Sequence, residues 1–170
     1  MTKARKNDLL PSEKLTLAAR AHELFKRKGL TLSLAESCTG GLISHMLTSI
    51  AGASAFFEAG AVTYSSGAKM KMLGVSGHVL GNFGAVSAET AAEMATKIRA
   101  LLGTDFSLST TGNLGPDVLE GKERGLVYIG IASRAGVEVK TLHLKEERRE
   151  NQEEAARKAL EFLLEAADKV

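Results

Sequence analysis

The spacing of apolar residues divides the chain into alternating helical and extended stretches. Leu17, Ala18, Ala21, Leu24 and Phe25 recur at helical spacing, after a helix start at Pro11-Ser12-Glu13 and before a stop at Gly29, which follows Lys26-Arg27-Lys28. Leu30, Leu32 and Leu34 then alternate with Thr31 and Ser33, the period of a strand. A polar, glycine-containing stretch, AESCTGG at residues 35–41, separates that strand from a second helix carrying Leu42, Ile43, Met46, Leu47 and Ile50 and ending at Gly52. Residues 56–64 read as a strand, 66–72 as a short helix and 74–84 as a loop. Ser87 is placed to cap a further helix, which turns Ala91, Met94, Ala95, Ile98 and Leu101 inward. Residues 105–111 form the next strand. Residues 126–133 and 137–144 pair as a hairpin around Arg134-Ala135-Gly136, and a last helix covers residues 147–169.

Helices alternating with strands, followed by a hairpin, predict an α/β fold: a three-layer α/β/α sandwich. Its sheet is expected to be mixed and mostly parallel, because the hairpin adds antiparallel pairing to parallel crossover units. The 170 residues suit one domain over residues 11–170, behind a polar, basic and flexible tail at residues 1–10. Hydrophobic content of 44% and charged content of 25% are those of an ordinary globular protein.

Charge and cysteine usage narrow the function classes. The net charge of +2 is too small for a nucleic-acid footprint. The basic residues sit at the two ends, as Lys3, Arg5 and Lys6 and as Lys145, Arg148 and Arg149, the second group interleaved with Glu146, Glu147 and Glu150. With Cys38 alone, no internal disulfide can form, which suits a reducing compartment. Neither a membrane-spanning run nor an apolar signal core is present, so a cytoplasmic location is expected. His22, His45, His78 and His143 lack ligand spacing, so no metal site is expected. No dinucleotide or Walker glycine motif is present, and no cofactor is expected.

Three polar loops, each following a strand, carry the candidate chemistry. In open α/β sheets, ligands bind outside the carboxyl ends of the strands. The first loop, residues 35–41, offers the hydroxyls of Ser37 and Thr39, the thiol of Cys38 and the close backbone approach allowed by Gly40-Gly41. A helix start beyond it supplies N–H donors for an oxyanion. Ser37 can equally cap that helix, and Cys38 reads as a small buried residue. The second loop, residues 63–69 (TYSSGAK), holds Tyr64, which could relay a proton, and Lys69. Lys69 can serve as a base if burial lowers its pKa, and is otherwise a solvated surface lysine. The third, residues 110–117 (TTGNLGPD), has two glycines and a proline that fix an unusual backbone path, or simply make a turn.

These three loops, in this order, resemble the CinA C-terminal domain family, whose stand-alone members include nicotinamide mononucleotide deamidases. The likeness rests on AESCTGGLIS, the turn Ile50-Ala51-Gly52-Ala53-Ser54, FFEAGAVTYSSGAK, GAVSAETAAEMA and TGNLGP, and spans about residues 15–164. The resemblance implies an amidohydrolase that converts nicotinamide mononucleotide to nicotinate mononucleotide and ammonia without a metal. It implies Ser37 as nucleophile, assisted by Tyr64, Lys69 and Thr111. Around the substrate it implies Glu36, Thr39, Gly40, Gly41, Gly112, Asn113, Gly115 and Arg148. It also implies a small-molecule nucleotide as the partner and a homo-oligomer as the assembly.

The chain departs from the family pattern in the third loop. Where the family has Gly-Ile-Ala-Gly-Pro and then a glycine-rich stretch, this chain has Gly112-Asn113-Leu114-Gly115-Pro116, then Asp117-Val118-Leu119-Glu120. Arg148 matches one of two family arginines near the last helix. The nucleophile side is kept and the substrate-facing side altered. Two other functions therefore stand beside the deamidase: a catalytically silent nucleotide-binding member, and a serine amidase on another small amide.

Overall fold

A computed structural model describes residues 16–170. The helix start at Pro11-Ser12-Glu13 and the tail at residues 1–10 lie outside the described residues. The chain runs α1 (Leu17–Lys28), β1 (Leu32–Glu36), α2 (Leu42–Thr48), a 3-10 turn (Ala53–Ala55), β2 (Phe57–Val62), α3 (Ser66–Ala68) continued as a π turn (Lys69–Leu73), α4 (Gly77–Phe83), α5 (Ala88–Leu102), β3 (Phe106–Gly112), β4 (Leu126–Ser133), β5 (Gly136–His143) and α6 (Arg148–Asp168). The five strands form one sheet in the order β2-β1-β3-β4-β5. β1 pairs in parallel with both β2 and β3, and the pairs β3–β4 and β4–β5 are antiparallel. The sheet is thus mixed in equal parts: the hairpin contributes two antiparallel ladders, one within itself and one against β3.

Helices cover both faces. On one face α1, α2 and α6 pack Phe25, Ile43, Leu47, Leu160 and Leu163 against Leu32, Leu34, Leu108 and Ile129. On the other, Met94 and Ile98 of α5 pack with Ala35, Leu73 and Val75. Ser33 of β1 and Ser107 and Ser109 of β3 face this second layer and are buried. The Ser107 and Ser109 hydroxyls donate to the Ala95 and Ala91 carbonyls of α5, each at 2.6 Å. Small side chains let α5 lie close: a Cβ on Gly130 would stand 2.6 Å from the Ala91 carbonyl oxygen. All five residues of β1 are buried, as a strand covered on both faces must be, whereas the burial of β2 alternates along its length, as on an edge strand.

Two local expectations change. Residues 77–83, read as loop, form α4, whose start is capped by Ser76 Oγ accepting the Val79 N–H at 3.1 Å. Gly77 and Gly81 hid it, since glycine is a poor helix former. Leu101 is in phase with the buried stripe of α5 yet 64% exposed, because burial along that face ends at Ile98. Among the described residues no helix is long and apolar enough to cross a membrane.

Candidate active site

The connections around β1 place the site. β1 leads through α2 on one face of the sheet, while its neighbour β2 leads on to α5 on the other. Where neighbouring strands send their chains to opposite faces, a crevice opens at the strand carboxyl ends. Ser37 follows the last residue of β1, and Tyr64 lies two residues beyond β2. β3 is parallel to β1, so Gly112 ends at the same edge. A cavity of 340 Å³ there is lined by Ser37 and Cys38 of the first loop, Tyr64 of the second, residues 112–117 and 119 of the third, and Arg148 of α6. A larger cavity of 780 Å³ lies between α1 and α6, lined mainly by charged side chains and by none of the three loops.

Behind Ser37, which lines this cavity, Lys69 Nζ is 2.9 Å from Ser37 Oγ. The π turn that begins at Lys69, capped upstream by Ser65 Oγ accepting the Ala68 N–H at 3.1 Å, holds the lysine there. Nζ also donates to the backbone carbonyls of Thr63 at 2.8 Å and Tyr64 at 3.3 Å. Lys69 is 1% exposed, and burial lowers its pKa to about 8. In the neutral amine two N–H bonds serve those carbonyls, which leaves the lone pair for the Ser37 hydroxyl proton. A serine hydroxyl with a buried amine in hydrogen-bond reach, the amine itself oriented by two carbonyls, is an arrangement that can support nucleophilic catalysis.

The turn bearing Ser37 is organised by Glu36. Its fully buried carboxylate accepts the Gly41 and Ile43 N–H groups, each at 3.1 Å, and the Ser44 N–H at 2.8 Å. The hydroxyls of Thr39 and Ser44 donate to it at 2.7 Å each. Glu36 thus caps α2 from below, and the cap residue proper is Gly41, at φ 95°. Ser37 does not cap the helix. Its N–H donates to the Thr110 carbonyl at 3.0 Å, and its hydroxyl faces Lys69. The donors at the start of α2, expected for an oxyanion, are occupied by Glu36.

The remaining expected residues fall into three groups. Thr39 is fully buried, hydrogen-bonded to Glu36 and at 2.8 Å to the Thr110 hydroxyl, and Gly40 and Gly41 shape the turn. Thr111 points away from Ser37 and donates to the Ala85 carbonyl at 2.6 Å. Strand alternation turns Thr110, the other threonine of the third loop, toward the Ser37 turn instead. At the cavity rim, the Arg148 guanidinium donates to the Gly115 carbonyl at 2.6 Å and to the Tyr64 hydroxyl at 2.8 Å. Tyr64 is 60% exposed, and it is its backbone carbonyl, not its phenol, that meets the Ser37–Lys69 pair. Asn113 lines the cavity and donates to the Lys122 carbonyl at 2.9 Å. Cys38 is buried, and burial pushes its thiol up to about 12, which keeps it protonated beside the serine.

A model of the CinA C-terminal domain matches residues 14–167. The chain belongs to the CinA C-terminal domain family. A CinA-like protein of Geobacter sulfurreducens is 47% identical over 134 residues, which are 78% of this chain and 32% of that protein. One of Kosmotoga olearia is 45% identical over 82% of this chain and 34% of its own length. The chain therefore spans about a third of the curated relatives it matches. The crystal structure of competence/damage inducible protein CihA from Agrobacterium tumefaciens superposes with TM-score 0.85 at 41% identity, covering 89% of this chain and 93% of that one. A CinA superfamily protein from Klebsiella pneumoniae superposes with TM-score 0.88 at 31% identity, covering 91% and 97%.

Proposed function

We propose that this CinA-family domain is a metal-independent serine amidohydrolase, and that its substrate is nicotinamide mononucleotide or a closely related nucleotide amide. The observation that carries the reading is the buried Lys69 amine at 2.9 Å from the Oγ of Ser37, a residue that lines an open cavity. Neutral Lys69 takes the Ser37 hydroxyl proton as Oγ bonds to the amide carbon. The lysine ammonium then returns that proton to the departing nitrogen, so ammonia leaves and an acyl-serine remains. Water attacks the ester, Lys69 accepts its proton and returns it to Ser37 Oγ, and the acid product is released. The family resemblance supports the nucleotide, and Arg148 at the rim offers a cation for its phosphate.

The test is ammonia release from nicotinamide mononucleotide and other pyridine nucleotides, with Ser37→Ala as control. A binding-only reading has one observation in its favour, the occupation of the α2 donors by Glu36. It is distinguished by thermal stabilisation with the nucleotide and no ammonia.

A further inference from the structure

The segment that follows the third loop is latched across the neighbouring loop before α5. Glu120 accepts the Ala85 N–H at 2.7 Å and the Val86 N–H at 3.2 Å. Lys122 Nζ donates to the carbonyls of Phe83, at 2.6 Å, and Val86, and lies 3.4 Å from the Glu120 carboxylate. Asn113 ties the root of the loop to the Lys122 carbonyl. Gly84 has φ 83°, and a Cβ there would overlap the Glu120 carboxylate. Glu120 itself has φ 56°, a left-handed conformation that costs a side-chain-bearing residue energy. Burial would raise the Glu120 carboxyl, but hydrogen bonds from Ala85, Val86 and Lys122 outweigh it and hold the carboxyl below its ordinary value.

The latch fixes what precedes it. Leu119, adjacent to Glu120 in the chain, is 58% exposed yet lines the Ser37 cavity, as do Leu114 and Pro116. A large apolar side chain held half in solvent at a cavity wall has surface to bury against a ligand. We propose that Leu119, held in the wall by the Glu120–Lys122 latch, is a specificity-determining residue of the Ser37 site that favours amides presenting a flat apolar face. The inference rests on the amidase reading only for the place where the amide sits.

Binding of benzamide and acetamide, titrated by NMR in the wild type, Leu119→Ala and Glu120→Gln, tests it. Wild type is expected to prefer benzamide. The benzamide-to-acetamide affinity ratio is expected to fall at least about fivefold in Leu119→Ala, as lost apolar contact requires, and also to fall in Glu120→Gln, which keeps the side-chain size but weakens the latch. A general loss of folding lowers both affinities and leaves the ratio in place. A wild type without the preference, or a ratio unmoved in Leu119→Ala, overturns the proposal. A fall in Leu119→Ala alone overturns the role of the latch. Because the readout is binding, an unreactive Ser37 would sink the amidase reading and leave this ratio to be measured.

Discussion

Lys69 Nζ and Ser37 Oγ stand 2.9 Å apart although 32 residues separate them in the chain. They meet because β1 and β2 are parallel neighbours, so the residues that follow each strand share one edge of the sheet. The pair predicts that Lys69→Met slows amide hydrolysis by about 10²–10⁴-fold, the usual contribution of a positioned base. Methionine keeps the stem and removes the amine. Single-turnover ammonia release checks this, and a loss under about tenfold would remove Lys69 from the chemistry.

The pH dependence follows from burial of that amine. Lys69 acts as a base only when neutral, and its pKa is lowered to about 8. The rate is therefore expected to rise with pH and reach half its plateau near pH 8. Stability moves with it. Between the native value of about 8 and the unfolded value of 10.5 the unfolded chain binds more protons at this amine, so the contribution of Lys69 to stability rises with pH through this window. Melting temperatures of wild type and Lys69→Met at pH 7 and pH 10 should shift relative to each other in favour of wild type at the higher pH. A constant difference would contradict the burial of a titrating amine.

Glu36 is expected to act through the turn it holds. Glu36→Gln presents an amide N–H₂ to donors that now face a carboxylate oxygen, leaving buried donors unpaired at a cost of about 2–4 kcal/mol. Denaturant unfolding measures that cost. A variant as stable as wild type would mean that the five hydrogen bonds to this carboxylate do not organise the turn.

For Tyr64 the geometry separates backbone from side chain. Its carbonyl accepts from Lys69, and its phenol meets Arg148 at the rim. Tyr64→Phe is expected to raise KM while kcat stays within about threefold, since the phenol touches neither reacting group. Steady-state kinetics with nicotinamide mononucleotide decide it. A fall in kcat of about 100-fold, the scale of acid–base participation, would put the phenol into proton transfer.

Much of this was legible in the residue pattern, and the failures have physical causes. Period and punctuation gave the order of strands and helices, and three loops following strands gave one edge of one sheet. What the pattern lacked was side-chain direction at the ends of strands. Thr110 and Thr111 are adjacent and alike, yet pairing of β3 with β1 turns the first toward the Ser37 turn and the second to Ala85. The π turn at Lys69 was equally hidden: a lysine beside Met70 and Lys71 reads as solvated, and only the sheet edge and the carbonyls of Thr63 and Tyr64 bury it. The resemblance implies Glu36 beside the substrate, and nothing in the string AESCTGG reveals that the helix start folds back over it. The latch of Glu120 and Lys122 joins residues some 35 positions apart, beyond the reach of local periodicity.

The most direct test of the central claim is the site of acylation by a serine-directed fluorophosphonate probe, mapped by peptide mass spectrometry in wild type, Ser37→Ala and Cys38→Ala. The expected result is modification of Ser37, kept in Cys38→Ala, lost in Ser37→Ala and faster at pH 9 than at pH 7. Modification that persists in Ser37→Ala, or none in folded wild type, would contradict a Ser37 nucleophile activated by Lys69.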